Sequence, residues 1–235
     1  MTKALALVGN PNVGKTAVFN ALTGLSHGTG NYPGVTVERK HGELHVHGID
    51  AEIIDMPGSY SLAARSPDEM IVTDVLLNQM PHEHPIIGLV VVVDASNLER
   101  NLYFVSQLLE LGKPIIIALN MMDVAARLGA IIDLETLSKK IGAPVVPLCA
   151  HKRKGVDALL REIRRMVEGQ IPPAQAMCRF PESLSKAVDS LTADLEQFKT
   201  TLGRTVSRVE TFRVLVDEGG YAEERLVRTL GEQCA

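Results

Sequence analysis

Residues Gly9–Thr16 read GNPNVGKT and follow directly on the short apolar run Leu5-Ala6-Leu7-Val8. The stretch satisfies G-x-x-x-x-G-K-[ST] after a candidate strand and at the opening of a helical pattern, which is the context in which that spacing has a mechanism. Gly9, Asn10, Pro11, Asn12, Val13 and Gly14 form a loop whose glycines let the backbone curl and aim successive N–H groups inward. Lys15, Thr16 and Ala17 then start a helix whose N-terminus adds partial positive charge. Such a loop cradles phosphate: Lys15 neutralises β and γ oxygens and the Thr16 hydroxyl reaches Mg2+. With glycine near 7% of residues, a chance match in a chain of this length is on the order of one in a hundred.

The rest of the chain is patterned to carry that loop. Short β-branched runs at 4–8, 51–54, 86–93, 114–119 and 144–148 alternate with helical periodicity at 15–24, 68–79, 98–111, 134–141 and 155–168. Strands apolar on both faces belong in a parallel sheet covered by helices. The alternation predicts an α/β fold, a doubly wound, mostly parallel sheet; the motifs described below make it one of the P-loop GTPase (Ras-like) kind. Residues 35–47 and the extended run after the Gly48-Ile49-Asp50 turn predict an antiparallel edge hairpin. After Gly169 the Pro172-Pro173 pair and a fall in apolar content mark a boundary, dividing the chain into 1–169 and 170–235. The second part predicts a small all-helical domain of three helices: Leu184, Ala187, Val188, Leu191, Leu195 and Phe198, then Val206, Val209, Phe212 and Val216, then Leu226, Val227 and Leu230. The ending GEQCA carries no helix-stopping signal, as expected of a piece of something longer.

Composition narrows the function. A net charge of −4 gives no diffuse basic field, so nucleic acid is not an expected partner. Three widely spaced cysteines without a CxxC pair read as free thiols in a reducing compartment. The densest apolar run, Ile86–Val93, falls far short of the roughly 20 residues a membrane-spanning helix needs.

Four further elements follow the cradle in the order GTPases require. Asp55 and Gly58 of DMPG stand at the end of the 51–54 strand, Asp55 near the magnesium and the Gly58 amide within reach of the γ phosphate. Thr36, preceded by Gly34 and Val35, lies between cradle and DMPG, where a switch threonine closes over Mg2+ and nucleotide. In NMMD, Asn120–Asp123, the Asp123 carboxylate suits the N1–H and exocyclic amine of guanine; adenine would leave that charge unpaired. Met121 replaces the usual lysine and offers an apolar plate without charge. Cys149 and Ala150 of CAHK stand where a turn presents an N–H to the guanine O6, although Cys149 reads equally well as a buried structural thiol.

The cradle together with NYPGVTVE, DMPGSYSL, SPDE, VVVDASNLERNLYFVSQLLELGKP and ALNMMD resembles the N-terminal cytosolic G domain of bacterial ferrous iron transport protein B, over about residues 3–165. The resemblance implies a GTPase binding GTP and GDP at the cytoplasmic face of the bacterial inner membrane, with the helical part acting on GDP release. It implies a membrane-spanning iron permease in the same polypeptide as partner, and admits a homo-oligomer and small cytosolic accessory proteins. It also implies K+ activation, with Asn12 as the cation ligand doing what an arginine finger does elsewhere. On this reading Asn12, Lys15, Thr36 and Gly58 serve catalysis, and Thr16, Thr36, Asp55 and Asn12 hold metal.

Ser59, following Gly58, lacks the reach to align an attacking water, so turnover is expected to be slow, on the order of 10⁻⁴ to 10⁻² s⁻¹. Segments 26–40 and 57–69 have the composition of switch loops. His41, Glu43, His45 and His47 share one face of an extended segment, and His82 and His84 flank Glu83; a solvated polar surface is the commoner outcome for both groups. Two other readings stand beside the hydrolase: a module that regulates by GTP occupancy alone, and an RNA-associated GTPase. The latter calls for a basic appendage, which a tail containing DEGGYAEER does not supply.

Overall fold

Three strands are buried almost throughout because both of their faces are apolar: β1 (Lys3–Gly9), β5 (Ile86–Asp94) and β6 (Ile115–Asn120). They form the middle of a seven-stranded sheet completed by β2 (His27–Asn31), β3 (Glu38–Leu44), β4 (Ala51–Asp55) and β7 (Val145–Pro147), in the order β2-β3-β4-β1-β5-β6-β7. The structure, a computed structural model, describes residues 3–24, 27–32, 37–44, 48–77, 84–177 and 180–234.

Side chains alternate across the sheet with the two-residue period of a strand. Ala4, Ala6, Val8, Leu89, Val91, Val93, Ile115, Ile117 and Leu119 face α2 (Pro67–Leu76) and α3 (Leu98–Leu109). Leu5, Leu7, Val90, Val92, Ile116 and Ala118 face α1 (Lys15–Thr23) and α6 (Val156–Val167). Two short helices, α4 (Met122–Arg127) and α5 (Leu134–Ile141), complete the β6-to-β7 connection. All pairings from β4 through β7 are parallel. From β1 the chain passes through β2 and β3 to β4 on one side and then crosses to β5 on the other. The loop after β1 therefore opens at the carboxyl edge of the sheet, where the winding reverses and ligands bind in such folds.

The expected edge hairpin is corrected in one respect. β3 pairs antiparallel with β4, as anticipated, but β4 is internal, parallel to β1, and β2 is the outermost strand. β2 reads HGTGN, glycine-rich and without an apolar face, so its strand character comes from pairing with β3 rather than from its own side chains.

Four helices follow residue 180: α7 (Glu182–Glu196), α8 (Lys199–Leu202), α9 (Arg208–Val216) and α10 (Tyr221–Cys234). Leu195, Leu202, Val206 and Leu226 form a cluster of their own. Val216 and Val227, assigned to apolar stripes above, are exposed. Phe212 stacks on Phe180 with ring centroids 4.4 Å apart. Polar groups tie these helices to the sheet domain: Arg213 pairs with Glu110 at 2.6 Å, and Tyr221 and Arg225 both reach Asp74 on α2.

Candidate functional site

The loop between β1 and α1 is shaped by two left-handed residues, Asn12 at φ 66° and Gly14 at φ 84°. Gly14 is needed for more than its dihedral. A Cβ there would stand 2.4 Å from Nδ2 of Asn120 and 3.6 Å from the terminal methyl of Met121, so the loop packs against the end of β6. Asn120 is buried and donates from Nδ2 to the Val13 carbonyl at 3.0 Å, while its Oδ1 accepts the Ala150 N–H at 3.0 Å. One amide thus joins the cradle, the β6 terminus and the turn after β7.

On the other side, the Ser59 N–H donates to the Gly9 carbonyl at 3.2 Å, and a Cβ on Gly58 would lie 3.0–3.1 Å from atoms of Pro11. The DMPG turn is therefore pressed onto the cradle. Lys15 Nζ sits 2.9 Å from Oδ1 of Asp55, both nearly buried. A buried pair of this kind is held by mutual attraction against the cost of desolvating each charge. Asn10, Pro11, Asn12, Gly14, Lys15, Thr16, Gly58 and Asp68 line a cleft of about 530 Å³. Thr16 and Asp55 bring a hydroxyl and a carboxylate, hard oxygen donors that suit Mg2+. Ser59 is fully buried and its Oγ donates to the Ser61 carbonyl at 2.7 Å.

Beside this cleft, Met121 adopts φ 60° and caps α4, which places Asp123 in its first turn. Lys152 Nζ lies 2.7 Å from Asp123 Oδ2 and His151 Nε2 3.4 Å away. The Lys152 hydrogen bond, more than any other contact, holds the Asp123 carboxyl well below the usual carboxylate range. Asp123 Oδ1 is buried without a partner. The Cys149 thiol is buried, and burial with the nearby Asp123 charge pushes its pKa up. The Ala150 N–H expected to face guanine O6 is engaged by Asn120 in this structure.

Gly34, Val35 and Thr36 lie outside the described residues, as do His45, His47, His82 and Glu83. The Tyr32 N–H donates to the Val37 carbonyl at 3.1 Å. Tyr32 is buried, its hydroxyl 3.4 Å from Sδ of Met56, next to Asp55; burial raises its pKa. Sequence reasoning missed Gln107, whose Oε1 accepts from the Leu62 N–H at 2.7 Å and Ser61 Oγ at 3.1 Å and so fixes the segment after DMPG to α3. It also missed Asp68, in the cleft, and Lys152. A buried glutamine in an amphipathic helix carries no distinguishing local signal.

Residues 3–163 match the family described as ferrous iron transport protein B. The Fe(2+) transporter FeoB of Legionella pneumophila (strain Lens) is 41% identical over 239 residues, covering 97% of this chain and 30% of that protein. A GDP-bound point mutant of S. thermophilus NFeoB superposes with a TM-score of 0.80 at 36% identity, covering 99% of this chain and 86% of that one. The cytosolic domain of the T. maritima FeoB iron transporter in its GMPPNP form gives a TM-score of 0.82 at 31% identity, covering 97% and 86%. The chain spans 24–30% of the length of the curated relatives it matches.

Proposed function

The chain belongs to the ferrous iron transport protein B family, and on that premise we propose that it is a slow, K+-assisted GTP hydrolase whose switching drives or gates Fe2+ uptake by a membrane-spanning part of the same polypeptide. The observation that carries this reading is that the cradle and the DMPG turn line one cleft and the NMMD segment lines the cleft beside it, the two joined through Asn120 and Gly14. No described helix is long and apolar enough to cross a membrane. A location at the cytoplasmic membrane face and coupling to a permease part fit relatives roughly three times as long as this chain.

On nucleotide entry, Lys15 leaves Asp55 for the β and γ phosphate oxygens, and backbone N–H groups from Val13 to Ala17 take the rest of the charge. Asp55, Thr16 and Thr36 would hold Mg2+, which would supply charge neutralisation along the phosphates. The carboxamide oxygen of Asn12 is a suitable K+ ligand at the cleft wall, and a cation held there would offset the negative charge developing on the transferred phosphoryl. Gly34, Val35 and Thr36, outside the described residues, would contact the nucleotide from one side, and the Gly58 N–H would orient the γ phosphate from the other. Asp123 accepts the two guanine N–H donors, Met121 covers the ring, and the Cys149-Ala150 turn faces O6. Asp123 exchanges Lys152 for the base.

Residues 1–169 are the nucleotide domain and 170–235 a helical domain acting on GDP release. The separate cluster around Leu195 and Leu226 supports the division. Helix α2 supports the coupling: Asp68 at its start lines the cleft and Asp74 near its end meets Tyr221 and Arg225.

Single-turnover hydrolysis in KCl against NaCl tests the proposal. K+ is expected to raise the rate by on the order of tenfold or more, and Asn12→Ala to remove that stimulation while leaving GDP binding. Turnover indifferent to K+ and to Asn12→Ala would favour regulation by occupancy, and equal calorimetric uptake of ATP would end the guanine assignment.

A further inference from the structure

Cys149, His151 and Asp123 form, among the described residues, a group whose ligand atoms all lie within 4.8 Å of one another. We propose that these three side chains bind a divalent first-row transition cation of the Fe(II) to Zn(II) class, and that the bound cation excludes guanine by occupying the Asp123 carboxylate.

The geometry is close to that of a filled site. His151 Nε2 lies 3.8 Å from Cys149 Sγ and 3.4 Å from Asp123 Oδ2. Tetrahedral bonds of about 2.0–2.3 Å to sulfur, nitrogen and oxygen put neighbouring ligands roughly 3.3–3.6 Å apart. The scaffold is rigid: Cys149 and Lys154 exchange backbone hydrogen bonds at 3.0 and 3.2 Å, a tight turn that sets Cys149 and His151 on the same side. Asp123 Oδ1 is buried, and the Cys149 thiol lies against this carboxylate, so sulfur and oxygen ligands are already side by side. His151 is exposed and a cleft of about 270 Å³ adjoins Asp123 and Cys149, so a fourth position is open to water. A thiolate with an imidazole selects Zn(II) or Fe(II) over Mg2+, which prefers oxygen alone.

Binding replaces two existing partners of these ligands. The Cys149 thiol loses its proton to solvent as the sulfur–metal bond forms, and the Lys152 ammonium, 2.7 Å from Asp123, moves away from the carboxylate. The competition with guanine rests on the nucleotide assignment proposed above; the metal site does not. If both hold, the cation this protein serves to import would lower the occupancy of its own nucleotide switch.

Cobalt(II) is the probe, titrated into the nucleotide-free, chelator-treated protein under reducing, anaerobic conditions. One equivalent is expected to produce a thiolate-to-cobalt charge-transfer band that Cys149→Ser abolishes. His151→Asn, at an exposed position that does not threaten folding, should weaken cobalt binding about tenfold or more while leaving GDP affinity in chelator unchanged. Lys152→Ala should tighten it several-fold, about 1 kcal/mol, by removing the competing ammonium. GDP should bleach the band stoichiometrically. A missing band, or one that survives Cys149→Ser, would overturn the site; a band indifferent to GDP, in protein that calorimetry shows to bind GDP, would overturn the competition. Failure to bind GDP in chelator would count against the nucleotide assignment and leave the metal site standing.

Discussion

The side-chain amide of Asn120 lies 3.0 Å from the carbonyl oxygen of Val13, bridging residues 107 positions apart in sequence. Its oxygen is taken by the Ala150 N–H at the same distance, so two loops borrow their relative position from one buried side chain. Asn120→Ala would leave a buried carbonyl and a buried N–H unpaired at once. Each such loss costs about 1–3 kcal/mol. Denaturant unfolding should show a destabilisation of about 2–4 kcal/mol, with GDP affinity falling alongside.

Gly14→Ala tests the close approach that this bridge imposes. The left-handed dihedral costs a Cβ about 1–2 kcal/mol, and the new methyl would collide with Asn120 Nδ2. Relief of that collision must break the Asn120 to Val13 bond. Calorimetry is expected to find no measurable nucleotide binding, in a protein whose far-ultraviolet circular dichroism is unchanged.

Asp123→Asn replaces a pure acceptor by a group that also donates. Guanine offers two donors to this position, whereas xanthine offers a carbonyl in place of the amine. GTP affinity should fall on the order of 100-fold, about 3 kcal/mol, and xanthosine triphosphate should gain. The Lys152 hydrogen bond holds the wild-type carboxyl well below the usual range, so guanine recognition should stay flat from pH 8 down to about pH 5.

Asp74 supplies a pH test of the contact between α2 and the C-terminal helices. Burial raises its pKa above the ordinary carboxylate value, against the lowering effects of Tyr221 and Arg225. A carboxyl raised on folding favours the folded state when protonated, and that contribution is lost as pH rises through the folded value. Wild-type stability relative to Asp74→Asn should therefore increase as pH drops from about 7 toward about 4. Paired unfolding curves at several pH values measure this, and a difference independent of pH would remove Asp74 from the linkage.

Much of the fold can be read from local chemistry. Leu5 through Val8, Leu89 through Val93 and Ile115 through Leu119 are apolar on both faces, and that pattern has few solutions other than a covered parallel sheet. The helix Leu134–Ile141 falls where its sequence places it because Asp133 caps its first turn, accepting the Thr136 N–H at 3.0 Å, and Gly142 ends it at φ 74°. Strand β2 is invisible to such reading because backbone pairing, with no side-chain pattern, defines it. The helical tail is less legible: Glu210 is buried beside Arg204, and Val227 is exposed, so polarity misleads in both directions there.

By itself the sequence determined the phosphate loop, its strand and helix, and the order of the segments that follow, since glycine placement, apolar period and motif spacing are local properties encoded residue by residue. Only the tertiary structure decided that Asn120 holds the cradle, that Gln107 fixes the chain after DMPG, and that the ligand atoms of Cys149, His151 and Asp123 come within 4.8 Å of one another. Those relationships join residues from separate elements, and no local pattern records which strand ends the sheet brings side by side.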